Sequence, residues 1–102
     1  MEYGLKDNVL NKVIDVFKNH KEIEKVIIYG SRAKGNFNNG SDIDLTFLGK
    51  DVTLKVLNKT SLELDDLLLP YIFDLSIFNH IKNPDLIDHI NRIGKTIYKK
   101  IN

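Results

Sequence analysis

Two aspartates stand two residues apart in Asp42-Ile43-Asp44. A third, Asp74, interrupts the apolar segment from Tyr71 to Phe78, and a Gly30-Ser31 pair closes another apolar run. On an extended strand, side chains at i and i+2 share a face. Asp42 and Asp44 then project together, and their charges repel unless a proton or a cation intervenes. A divalent ion is the stronger remedy. Magnesium takes hard oxygen ligands and is held by one or two carboxylates together with substrate phosphates. Asp74 is out of phase with Phe73 and Leu75, as Asp42 and Asp44 are with Ile43 and Leu45. If the two strands are neighbours, all three acids occupy one surface. Glycine permits close backbone approach and serine adds a hydroxyl, a combination suited to phosphate. Each part also has a plain structural reading. With ten aspartates in the chain, one such pair arises by chance, a solvated sheet face or a lysine can accommodate Asp74, and Gly-Ser is a common turn.

The elements that must position these residues are legible from periodicity. Leu5, Val9, Val13 and Phe17 recur at helical spacing and predict an amphipathic helix from about Leu5 to Asn19. Lys25–Gly30 reads as a buried β-branched strand, Ser31–Lys34 as one helical turn stopped by Gly35, and Asn36–Ser41 as a loop. Asp42–Gly49 alternates as a strand. A second helix is expected after Asp51 as cap, with Leu54, Leu57, Ser61, Leu64 and Leu68 on its inner side and Pro70 beyond it. Tyr71–Phe78 is a third strand. Asn83 and Pro84 are placed as cap and first residue of another helix, with Leu86, Ile87, Ile90 and Ile93 inward and Gly94 at its end. Lys95–Lys100 suits an edge strand. The expected class is α+β, a small mixed sheet flanked by helices, in one domain spanning residues 1–102.

Composition narrows the function. The chain has 102 residues, 42% hydrophobic and 28% charged, with a formal net charge of +1. That balance makes no electrostatic case for nucleic acid or a membrane as direct partner. There is no cysteine, which excludes disulfides and thiolate metal sites. The apolar run Leu67–Phe73 is far short of the ~20 residues that span a bilayer. The start, "MEYGLKDN", lacks the apolar segment of a secretory signal. These features point to a cytoplasmic protein.

The stretch "GSRAKGNFNNGSDIDL" resembles the Gly-Ser, spacer, Asp-x-Asp signature of the DNA polymerase β-like nucleotidyltransferase superfamily. From about Val26 to Tyr98, including "NPDLIDHINRIGKTIY", the chain looks like the minimal nucleotidyltransferases, which pair with a small all-helical protein. Some of those pairs are toxin–antitoxin systems with a HEPN-domain ribonuclease as toxin; others use a helical substrate-binding protein. The resemblance implies the palm-like nucleotidyltransferase fold. It implies that Gly30 and Ser31 hold the triphosphate of ATP and that Asp42 and Asp44 bind two magnesium ions. Asp74 matches the third acid, which helps hold the catalytic metal and takes the proton of the attacking hydroxyl. Lys34 stands where arginine is commoner and loses the bidentate fork.

A chain of this length leaves no residues for an acceptor-binding domain, so the acceptor is expected on another protein in a hetero-oligomer. The function implied is transfer of AMP from ATP to a hydroxyl, tyrosine by expectation, of the helical partner, which silences it as an antitoxin. Two alternatives belong to other classes: a non-catalytic module that blocks its partner sterically, and a small-molecule nucleotidyltransferase that uses the helical protein as substrate platform. His20, His80 and His89 are isolated in sequence and read as structural, His20 against a helix end. Arg32 fits a phosphate contact and an exposed surface position equally well.

Overall fold

Four helices and four strands alternate along the chain. The computed structural model describes residues 1–101; Asn102, the last residue of the expected domain, lies outside them. Helix α1 covers Asp7–Lys18, strand β1 Lys25–Tyr29, helix α2 Gly30–Lys34, strand β2 Ile43–Leu48 and helix α3 Leu54–Asp65. Strand β3 covers Phe73–Ile77, followed by a 3₁₀ turn at Phe78–His80, helix α4 at Pro84–Ile93 and strand β4 at Lys95–Lys99. The strand order is β3-β2-β1-β4. β1 runs antiparallel to both β2 and β4, whereas β2 and β3 are parallel, so the sheet is mixed as expected. The parallel pair is possible because α3 supplies the crossover between its strands.

Alternation along the strands gives the sheet two unlike faces. Val26 and Ile28 of β1 and Ile43, Leu45 and Phe47 of β2 are all buried on one of them. Val13, Val16 and Phe17 of α1 and Val56 and Leu64 of α3 join them in one core. Phe17 meets Phe47 edge-on, with ring centroids 5.5 Å apart. α4 lies on the other face over β1, where Ile90 is buried and Gly94 is so close to Ile27 that a Cβ there would stand 2.6 Å from its Cγ2.

The expected inner stripe of α3 holds at Leu64, which is buried, and at Leu57, which packs against the core, but fails at Leu54 and Leu68. The buried residues are Val56, Thr60 and Leu64, whereas Leu54 is 61% exposed. Leu68 is 89% exposed beyond the helix. The helix is capped by Thr53, whose hydroxyl accepts from Val56 N–H, and Asp51 takes no part as cap. Counting leucines missed the Val56–Thr60 side of the stripe because Thr60 does not look like a core residue. Its hydroxyl donates to the Val56 carbonyl at 2.8 Å, which lets it be buried without an unmet polar group. In α4 the fully buried residue is Ile90, while Leu86, Ile87 and Ile93 are half-buried. Asn83 caps that helix as expected, accepting from Asp85 and Leu86 N–H, with Pro84 at its first position.

Candidate active site

The face of the sheet opposite the core is built in rows. β1 and β2 pair Tyr29 with Asp44, and β2 and β3 pair Asp44 with Asp74. Directly paired residues point the same way, so Tyr29, Asp44 and Asp74 form one row across three strands. The next row is Ile27, Thr46 and Ser76. Adjacent strands are ~4.8 Å apart, which puts the Asp44 and Asp74 carboxyls side by side. Asp42 lies in the bend before β2 and is exposed, but its charge still acts on Asp44. The three acids singled out in the sequence therefore share one face, with Asp42 at its mouth and Asp74 on the exposed edge strand.

Electrostatics identify Asp44 as the strained member. Burial pushes its carboxyl above the usual carboxylate range, and the charges of Asp74 and then Asp42 push it further. Tyr29 is also held up, first by burial and then by Asp44 and Asp74, while the Ser76 hydroxyl acts the other way. Burial raises both groups, and the neighbouring carboxylates add to it; the like charges of Asp44, Asp74 and Asp42 are the part that a cation would relieve. Among the described residues, no group of three His, Cys, Asp or Glu side chains forms a ready-made metal cage. The oxygen set present, two in-register carboxylates and a third close by, fits an ion that completes its shell with water and phosphate oxygens.

Gly30 links this acid row to the turn that follows β1. Its φ is +74°, and a Cβ at that position would stand 2.2 Å from Asp44 Oδ2. The positive φ favours glycine, and any side chain there would have to displace the Asp44 carboxylate. Ser31 lies in the first turn of α2 and is half-buried. Gly35, with φ +94°, ends α2 as the sequence suggests. Lys34 is exposed.

Arg32 corrects the sequence reading, which offered a phosphate contact or an exposed position. It is 2% exposed. Its Nε and Nη2 donate to the Ser41 carbonyl at 3.1 and 2.9 Å, and its Nη1 donates to the Tyr3 carbonyl at 2.9 Å. The guanidinium lies over the rings of Phe37 and Tyr71, 5.3 and 5.2 Å from their centroids. Arg32 thus ties the loop carrying Asp42 to α2 and to the start of the chain. His20 is corrected too: beyond its position at a helix end, its ring pairs with Glu63 of α3.

His89 was passed over and belongs to the site. Its Nε2 accepts from Gly30 N–H at 3.0 Å, and its ring meets Tyr29 edge-on with centroids 6.2 Å apart. A signal existed in the sequence. Leu86, His89, Ile90 and Ile93 follow helical spacing, so His89 interrupts the inward stripe of α4. A hollow of about 510 Å³ beside Lys18, His20 and Tyr98 lies at the opposite end of the sheet, and no carboxylate side chain lines it.

Acids in register on an open palm, bordered by a turn too close for a side chain, make up the nucleotidyltransferase fold that the motif implied. The family model described as "Polymerase beta, Nucleotidyltransferase" matches residues 11–101, and the chain belongs to that family. It is 25% identical to a Methanocaldococcus jannaschii protein named "Putative protein adenylyltransferase MJ0141", over 81% of this chain and 96% of that one. Among solved structures it superposes on a toxin–antitoxin crystal structure with AMP-PNP, with a TM-score of 0.72 at 20% identity, covering 89% of this chain and 73% of the other. It also superposes on a chain from a complex of tri-AMPylated Shewanella oneidensis HEPN toxin with MNT antitoxin, with a TM-score of 0.68 at 18% identity, covering 94% and 74%. No helix among the described residues is long and apolar enough to cross a membrane.

Proposed function

We propose that this nucleotidyltransferase moves AMP from ATP to a hydroxyl, a tyrosine by preference, on a small all-helical partner protein, and thereby acts as an antitoxin in the cytoplasm. The observation that carries this reading is the in-register pairing of Asp44 with Asp74 next to Gly30. The named activity of the Methanocaldococcus jannaschii relative and the HEPN complex of the fold relative support the acceptor class.

Each residue has a task. Gly30 leaves room for the triphosphate, and Ser31 supplies a hydroxyl to it. Asp42 and Asp44 hold the magnesium ions, with Asp74 as a third ligand. Bound there, magnesium neutralises charge on the phosphate oxygens and favours an in-line displacement. Asp74 accepts the proton of the attacking hydroxyl. An O–P bond forms at the α-phosphorus, the bond to the bridging oxygen of the β-phosphate breaks, and pyrophosphate leaves. Asp74 is exposed on the edge strand, so a hydroxyl carried by a folded protein has access to it.

The direct test combines the protein, its helical partner and Mg-ATP, followed by intact mass of the partner. A gain of one or more AMP units on a tyrosine is the expected result. No gain where the complex forms would refute the reading. The double variant Asp42→Ala/Asp44→Ala separates catalysis from blocking: a steric module still neutralises its partner, and a transferase does not.

A further inference from the structure

We infer that His89 is a positioning residue: by accepting the Gly30 N–H it fixes the peptide that packs against Asp44, and so sets where the metal-binding carboxylate stands. The catalytic part of this inference rests on the nucleotidyl-transfer reading above. Its structural part does not.

The chain of contacts is short. α4 carries His89 over β1, and its Nε2 lies 3.0 Å from the Gly30 nitrogen. A backbone N–H can only donate, so Nε2 must be the unprotonated nitrogen and the ring proton sits on Nδ1. A protonated ring would favour ionised Asp44, but it could not accept this bond. Gly30 stands so close to Asp44 that the space for a Cβ is already taken by Oδ2. A tilt of the Gly30 peptide therefore moves toward or away from that oxygen. Tyr29, the residue before α2, makes no side-chain cap to the helix, and Gly30 has a positive φ, which a glycine adopts without strain. Tyr29 sets the orientation of the ring by its edge-on contact, and Tyr29 also belongs to the acid row.

Two consequences follow. The Gly30 N–H is engaged with the imidazole, which leaves the polar contact to phosphate with Ser31. Through His89, α4 then controls the geometry of the acid row, as outer partners do at metal sites.

The test uses His89→Phe, which keeps a ring against Tyr29 without an acceptor, and His89→Gln, whose side-chain oxygen can reach the place of Nε2. In the wild type, imidazole ¹⁵N spectra should show the proton on Nδ1 and a coupling from Gly30 N–H to Nε2. Exchange of the Gly30 amide should be at least about tenfold faster in His89→Phe and return toward wild type in His89→Gln. Mn²⁺ affinity without nucleotide should fall about tenfold in the first variant and recover in the second. AMP transfer should follow the same order, chiefly in kcat, with KM for ATP changed less. An imidazole proton on Nε2 in the wild type would overturn the inference even if neither variant folds. So would a Gly30 amide or a Mn²⁺ affinity indifferent to His89→Phe. If the wild type transfers no AMP but the amide and Mn²⁺ results come out as stated, the positioning role stands and the enzymatic reading falls.

Discussion

The two faces of the sheet are made from the same strands and carry opposite tasks. On one, Ile28, Leu45 and Phe47 are almost wholly removed from water beneath α1 and α3. On the other, one residue further along, Tyr29, Asp44 and Asp74 line up across three strands with only part of the face covered by α4. β2 alternates between the two: Ile43, Leu45 and Phe47 face the core, while Asp44 and the buried Thr46 face the other side. The core face stabilises by removing apolar surface from water. The acid face does the reverse: it buries part of Asp44 beside Asp74 and Asp42, which raises its carboxyl and costs stability once the group is ionised. Stabilising burial is thus concentrated on one side of the strand and the clustered carboxylates on the other.

Substitutions can break that contrast in graded steps. Asp44→Asn should lower AMP transfer by about a thousandfold or more while raising the melting temperature in the absence of metal. A loss of both activity and stability would show that the carboxylate is structural. Phe47→Ala, on the opposite face of the same strand, should cost about 3–5 kcal/mol in urea unfolding. Its Mg²⁺-dependent activity should be retained in whatever fraction stays folded. Gly30→Ala should cost about 1–2 kcal/mol for a side chain at positive φ. Because the new Cβ displaces Asp44 Oδ2, transfer should drop about a hundredfold, measured as kcat at saturating ATP.

The pH dependence of stability sharpens the same contrast. The Asp44 carboxyl is held above the usual range in the fold, so the folded chain binds that proton more tightly than the unfolded one. The advantage is present at pH below the ordinary carboxylate range and is lost as pH rises through the raised value. The melting-temperature difference between Asp44→Asn and wild type should therefore be small in acid, grow across that window and level off above it. Added Mg²⁺ should reverse the difference in part, because it binds the wild-type folded state. The smallest effect belongs to Leu54→Ser. Leu54 is 61% exposed, and its loss should change stability by less than about 0.5 kcal/mol. A larger value would mean that α3 is rotated toward the phase suggested by its leucines.

Much of the site was legible because strand alternation is a local property. The phases of Asp42, Asp44 and Asp74 against their apolar neighbours indicate a shared face once the strands are adjacent, and Gly30-Ser31 marks the turn beside it. What stayed hidden depended on partners far along the chain. Arg32 looks like a surface cation until Ser41, Tyr3, Phe37 and Tyr71 enclose it. His89 looks isolated because Gly30, its partner, is 59 residues away. Thr60 looks polar until the carbonyl four residues back satisfies its hydroxyl.

By itself, then, the order of residues determined the period of each element, the side of each strand that must be buried, and the residue types available for phosphate and cation. The fold alone decided that β2 and β3 run parallel with Asp44 opposite Asp74, that Gly30 closes against that carboxylate, and that α4 brings a histidine to the turn. The physical reason is range. Periodicity and capping are settled within a turn or a strand, whereas register and burial are set by which distant segments exclude water together.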